Sequence, residues 1–283
     1  MGRYRRLDLI RGLDPVRDHW EIYRLSAGFE FPWDYRKALE FALFRTYAVP
    51  SISRLLARTG EFEHRPQRRY DDTLLLMAEL TEHGYDSERG KQSLRRINQM
   101  HGRYDITNDD MLYVLTTFIY EPIRWLARHG WRPLHQHERL AAFHFYREVG
   151  RRMGIKHIPE DYDELDRFNR DYERTHFQYT ETNQRVGEYT VDLFCSWYPA
   201  AVRAGVRRAV YAAMDEPLRV AFGFPEQPPW LRKVVAGALT WRGRAVWWLP
   251  ERKVSRTAAD PRNRTYPGYP EGYRVADLGV HPE

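Results

Sequence analysis

Apolar side chains recur every three to four positions along most of the chain, and the gaps between these stretches carry helix punctuation. Asp14-Pro15 reads as the cap and first residue of a short helix ending near Gly28. Asp34 is expected to cap a helix over 34–58, with Leu39, Leu43, Tyr47, Ile52, Leu55 and Leu56 as its apolar stripe, a kink at Pro50 and a stop at Gly60. Asp71 or Asp72 opens a helix over 73–83, closed by Gly84. Ser87 opens the next, which runs through Leu94 and Ile97 to His101. Thr107, with Asp109 and Asp110 behind it, caps a helix that is apolar on nearly every face over 111–119, the pattern of a central, buried helix. Pro122 should kink it, and Gly130 follows its end. Further helices are expected over 137–153, stopped by Gly154, and over 163–174, 181–197 and 199–214. A last helix over 229–248 is expected to be interrupted at Gly237 and Gly243. Beyond Pro250 the chain is rich in Pro, Gly, Tyr and Asn and reads as an irregular tail wrapped on the surface. No strand alternation, internal repeat or linker is visible. The pattern predicts an all-α protein: one domain over 1–283, with a helical core at about 34–250 and an irregular tail over 250–283.

Composition narrows the chemistry. With 42% hydrophobic residues the chain can bury a sizeable core, so disorder is not expected. The single cysteine, Cys195, excludes an internal disulfide, a cysteine-based zinc site and an iron–sulfur cluster, and points to a reducing, cytoplasmic setting. Cys195 lies among Val191, Leu193 and Phe194 and reads as an inert core thiol. Residues 1–13 hold four arginines and no apolar stretch, so no secretory leader is expected. The longest apolar run, 111–120, is far short of the roughly 18 residues that argue for a membrane span. The net charge of +6 is scattered rather than gathered into a stripe, which argues against nucleic acid as a partner. Loose contact with an anionic membrane surface fits better. Trp230, Trp241, Trp247 and Trp248 among Arg232, Arg242, Arg244 and Arg252 suit such an interface, or equally fill the core beneath the tail.

No nucleotide-binding glycine loop, His-Glu-x-x-His or nucleophile elbow is present. Among the 11 histidines, His83 and His129 sit at helix ends and His281 at the chain end, while His135-Gln136-His137-Glu138 reads as a solvated helix entry. His101 differs, because it shares a face with Leu94 and Ile97 and so points where the apolar side chains point. It reads either as a buried histidine bonded to a carbonyl or as a haem ligand on a helix wall, its second nitrogen oriented by an acceptor. His144, beside Phe143, is its best competitor. Two Glu-x-x-His pairs, Glu61 with His64 and Glu173 with His176, raise the alternative of a carboxylate-bridged di-iron oxidase, although the first falls in an expected loop and the second at a helix end.

Several stretches taken together resemble the MpaB-type oxygenases, a family that also includes the latex-clearing rubber oxygenases. They are Arg69-Tyr70-Asp71-Asp72-Thr73; Arg96 to His101, followed by Tyr104-Asp105-Ile106 and Asn108-Asp109-Asp110; Glu121-Pro122-Ile123-Arg124-Trp125; Phe145 to Ile155; and Tyr269-Pro270-Glu271-Gly272-Tyr273. The resemblance spans nearly the whole chain. It implies a globin-like haem-binding core with His101 as axial ligand to the iron of a non-covalently held haem b, and Arg69 and Thr73 on the opposite, oxygen-facing side. A guanidinium there suits negative charge developing on dioxygen, or a haem propionate. Read without the resemblance, Arg69 would be a surface ion pair and Thr73 a first-turn cap. Two departures stand out: Asp72 occupies the place of a lysine that can sit at the distal iron position, and Leu112-Tyr113-Val114-Leu115 lacks a second histidine found in many relatives. Fungal members of the branch carry a membrane anchor that is not expected here. The reading is therefore a haem-dependent oxygenase that acts with dioxygen on a hydrophobic, isoprenoid-like or lipid substrate. A haem-binding sensor or carrier without turnover is its alternative.

Overall fold

A computed structural model describes residues 3–257 and 266–280. Within them α1 (Arg5–Arg11) and α2 (His19–Arg24) lead through a π-helical turn, Leu25–Glu30, into α3 (Pro32–Tyr47), α4 (Pro50–Thr59) and the short α5 (Glu61–His64). Next come α6 (Pro66–His83), α7 (Glu88–His101), α8 (Asn108–His129), α9 (Gln136–Arg152), α10 (Tyr162–His176) and α11 (Glu181–Ser196). The chain closes with α12 (Arg203–Ala213), α13 (Glu216–Ala221) and α14 (Pro229–Val246), followed by irregular chain with two short 3₁₀ turns. No strand occurs among the described residues, so the protein is all-α as its pattern predicts.

α8 is the axis. Leu112, Leu115, Phe118, Ile119, Trp125 and Leu126 are all buried, and α3, α9, α10 and α14 pack around it. Thr107 caps it by accepting from the Asp110 amide, and the helix runs on through Pro122. The charges among these helices are paired, as low dielectric requires. Arg45 on α3 grips the Glu173 carboxylate of α10 at 2.7 and 2.5 Å and reaches Asp215 at 2.6 Å. Arg132 holds Glu138 at 2.5 Å, and Glu138 also closes the capping box that starts α9 at His135.

Several expectations need correction. Asp14-Pro15 opens no helix: the chain turns there, and α2 begins at His19. Asp34 does not cap α3. Pro32, with its fixed φ, begins the helix, and Asp34 lies buried with its carboxylate held by Arg242 of α14 at 2.7 Å and by the Trp125 indole. Asp71 and Asp72 do not open α6, which starts a turn earlier at Pro66 and carries both inside it. Glu61–His64 is a helical turn rather than loop. Gly237 and Gly243 do not interrupt α14. A Cβ on Gly243 would lie 2.0 Å from the His129 carbonyl oxygen, so the glycine lets α14 cross the end of α8. α1 and α13 were not expected at all; each is short and stands on a few apolar contacts.

The tail lies on α6 and α7, as expected for the part described. Tyr273 donates to Glu79 at 2.6 Å, Tyr269 donates to Asp72, and the Gly268 amide donates to Asp71 at 2.8 Å. Arg96 reaches from α7 to the Leu278 carbonyl at 2.6 Å. Asp71 has no cationic partner in this latch. Burial pushes its carboxyl up to about 7, against the Gly268 and Gln67 hydrogen bonds that favour its charged form, with Asp72 adding to the rise. Its folded pKa thus exceeds its unfolded one, so the stability it contributes is complete below about pH 4 and is lost as pH rises through 7. The wild-type melting temperature should therefore fall more steeply between pH 4 and pH 8 than that of Asp71→Asn, whose amide does not titrate, although it gives up one of the two hydrogen bonds the carboxyl accepts. Superimposable wild-type and variant melting profiles across that range would mean that the buried carboxyl ionises normally.

Candidate functional site

α6 and α7 form an antiparallel hairpin. Gly84, at φ +77°, ends the first helix, and Ser87 caps the second by accepting from the Gly90 amide. Gly90 has to be glycine, because a Cβ there would lie 1.9 Å from the Gly84 carbonyl oxygen. The Ser93 hydroxyl donates to the Leu76 carbonyl at 2.8 Å and sets the register of the pair. Seven residues back from Leu76 is Arg69, and seven on from Ser93 is Met100, beside His101. A hairpin in this register brings residues 28 positions apart, Thr73 and His101, to the same end of two packed helices.

Arg69 and Thr73 stand one helical turn apart, and the guanidinium donates to the threonine hydroxyl. The same guanidinium lies 5.5 Å from the centroid of the Phe62 ring, and Phe62 packs edge-on against buried Tyr47 at 5.0 Å. Arg69 makes no ion pair among the described residues, unlike the buried Arg45 and Arg132. Thr73 sits well inside α6, so it caps nothing. Neither the surface ion pair nor the first-turn cap describes these two side chains.

His101 is the last residue of α7. Its Nδ1 is buried, and neither ring nitrogen has a hydrogen-bond partner among the described residues. Burial pushes its pKa down to about 4, and the nearby positive charge of Arg69 lowers it further. The imidazole is therefore neutral at physiological pH, with a lone pair free. The carbonyl of the buried-histidine reading is missing, and so is the acceptor that a haem ligand was expected to have behind it. A buried polar atom left without a partner costs free energy, which an incoming ligand would recover.

Asp72 faces elsewhere. One residue on from Asp71 and one before Thr73, it is buried beneath the tail, where it accepts from Tyr269 and lies near Arg68. Sequence spacing alone could not separate Asp72 from Thr73; the third dimension does, since adjacent helical residues diverge by about 100°.

The other candidates disperse. His144 lies beside Phe143 at 5.1 Å between ring centroids and His19 at 6.4 Å. His129 also has a buried, unpartnered Nδ1, but it packs against Trp125 at the far end of α8, where α14 crosses. His135 is the cap of α9, and His281 lies outside the described residues. The carboxylates of the two Glu-x-x-His pairs are taken: Glu61 by Arg65 at 2.5 Å and Glu173 by Arg45. Among the described residues no three His, Cys, Asp or Glu side chains come together as metal ligands, so the donor set of a di-iron site is not assembled. Cys195 is buried, and desolvation raises its thiol pKa, as fits an inert core residue.

Residues 39–249 match the family described as the catalytic domain of the ER-bound oxygenases mpaB and mpaB' and of rubber oxygenase. Arg69, Thr73 and His101 all fall inside that span, whereas the Tyr269–Tyr273 latch lies beyond it. The ER-bound oxygenase mpaB of Penicillium roqueforti is 38% identical over 143 residues, 48% of this chain and 48% of that protein. The ER-bound oxygenase mpaB' of Penicillium brevicompactum is 29% identical over 241 residues, 78% of this chain and 56% of that protein. The chain thus spans about half the length of the curated relatives it matches. Latex clearing protein in its closed state superposes with a TM-score of 0.56 at 14% identity, covering 88% of this chain and 73% of that one, so the two share a fold.

Proposed function

This chain belongs to the family of the mpaB oxygenases and rubber oxygenases, and we propose that it is a haem b-dependent oxygenase in which His101 holds the iron. The observation that carries the proposal is the meeting of a neutral, unpartnered imidazole with an unpaired guanidinium and a hydroxyl at one end of the α6–α7 hairpin. Such a donor set fits a haem: the imidazole offers a free nitrogen, and the guanidinium offers a counter-charge for a propionate or for reduced oxygen. Bound there, haem would supply the redox chemistry that lets dioxygen react with a hydrophobic, isoprenoid-like or lipid substrate.

The protein's share is orientation and exclusion. Thr73 takes one N–H of Arg69 and so fixes the direction of the guanidinium. Tyr47 and Phe62 form an apolar wall against which that half-buried charge lies, and a charge partly shielded from water acts more strongly on what develops beside it. We read the chain as one catalytic unit with a globin-like haem core. The expected cytoplasmic location, drawn from the lone cysteine, belongs to the same reading.

An absorption spectrum tests the proposal most directly. Protein purified after expression with a haem precursor should show a Soret band and a b-type pyridine haemochrome, and should consume dioxygen when given a lipid extract. Protein saturated with another metal and free of porphyrin would refute the haem reading. A haem-loaded protein that consumes no dioxygen with any apolar substrate would mark a carrier or sensor instead.

A further inference from the structure

The four tryptophans near the end of the chain do not share one role. Trp247 is half-buried, its ring against Tyr4 at 5.2 Å and Trp131 at 5.5 Å. Trp230, Trp241 and Trp248 are 61%, 73% and 84% exposed, so they fill no core. At 100° per residue Trp230, Val234 and Trp241 fall on one narrow stripe of α14, roughly 17 Å long at 1.5 Å per residue, and exposed Trp248 follows two residues past the helix end. Gly243 and Val246, the buried residues of α14, lie on the opposite side.

The charge along this face has one sign. From Pro229 to Leu249 the sequence contains Arg232, Lys233, Arg242 and Arg244 and no carboxylate. Arg242 turns inward to Asp34. Arg232, Lys233 and Arg244 make no ion pair among the described residues, and Lys233 and Arg244 run along one edge of the tryptophan stripe. Exposure of large indoles is costly in water, and cations with no ion pair among the described residues can find one on an anionic surface.

We propose that the outer face of α14 docks on an anionic lipid bilayer, with Trp230, Trp241 and Trp248 inserted at headgroup depth and Lys233 and Arg244 against lipid phosphates and carboxylates. Such a helix lies in the interface plane without crossing it, and no helix among the described residues is long and apolar enough to cross. A second copy of the chain fits this face poorly. Two-fold pairing would set the same cations against themselves with no acid to meet them.

Flotation of the full-length protein with vesicles tests this independently of haem. Vesicles of phosphatidylcholine with phosphatidylserine should carry the protein at low salt, vesicles of phosphatidylcholine alone should carry much less, and binding should fall as salt rises. Replacing Trp230, Trp241 and Trp248 together by serine should weaken binding on the order of tenfold or more while leaving the melting temperature nearly unchanged, because these rings are mostly exposed. Lys233→Glu with Arg244→Glu should abolish the preference for phosphatidylserine. The proposal is overturned if the wild type stays out of both vesicle fractions, or if the serine variant binds as well as the wild type. It is equally overturned if light scattering finds a dimer that the serine variant dissolves and vesicles do not compete with.

Discussion

His101→Ala should leave a folded protein that has lost its haem. Affinity should fall at least about tenfold, since even outer-shell partners of a metal ligand are worth roughly 10- to 100-fold. The apo fold should survive the change, because the imidazole Nδ1 is buried without a partner and its removal breaks no hydrogen bond. Free imidazole added to the variant should restore part of the Soret band, which a purely structural role would not do. His144→Ala is the control: its ring packs with Phe143 and His19, and that variant should keep full haem. Haem lost from His144→Ala and retained by His101→Ala would mean the ligand is misassigned.

Arg69→Ala and Thr73→Ala should separate haem binding from turnover. Both should retain the Soret band, and dioxygen-dependent turnover should fall by about 100-fold or more for Arg69, the range seen when one preorganised donor to a developing negative charge is removed. Thr73→Ala should lose less, because its hydroxyl acts through the guanidinium it holds. His101 stays a competent ligand in Arg69→Ala, since burial rather than the arginine's charge is the larger cause of its low pKa. Arg69→Lys should recover only part of the rate: a lysine keeps the charge but lacks the planar fork that can bond Thr73 and a second acceptor together. Unchanged turnover in both alanine variants would make this pair structural.

Much of this protein is local, and what is local was legible. Ser87, Thr107 and Gly154 mark helix ends within a few residues, because a cap acts on the amides or carbonyls next to it. The all-round apolar run over 111–119 identified α8 as the buried axis, and periodicity alone sufficed, since no other placement removes every face from water. The alignment of His101 with Leu94 and Ile97 likewise exposed its inward direction.

What escaped depends on partners far along the chain. Asp34 looks like any N-cap until Arg242, 208 residues away, arrives to hold it. Asp71 and Asp72 look like the start of a helix, yet the tail turns them into a buried latch through Gly268 and Tyr269. Gly243 has the composition of a break and works as a crossing point, because the atom that forbids a side chain there is the His129 carbonyl oxygen of another helix. The tryptophans could be core or interface by spacing alone; only the packing of α14 on one side decided that Trp247 turns in while Trp230, Trp241 and Trp248 face out. Periodicity therefore determined which segments are helices and which one lies at the centre. The tertiary structure decided what each polar or aromatic exception does, because a charge, a glycine or an indole takes its role from whatever stands within a few ångströms of it, whichever part of the chain that comes from.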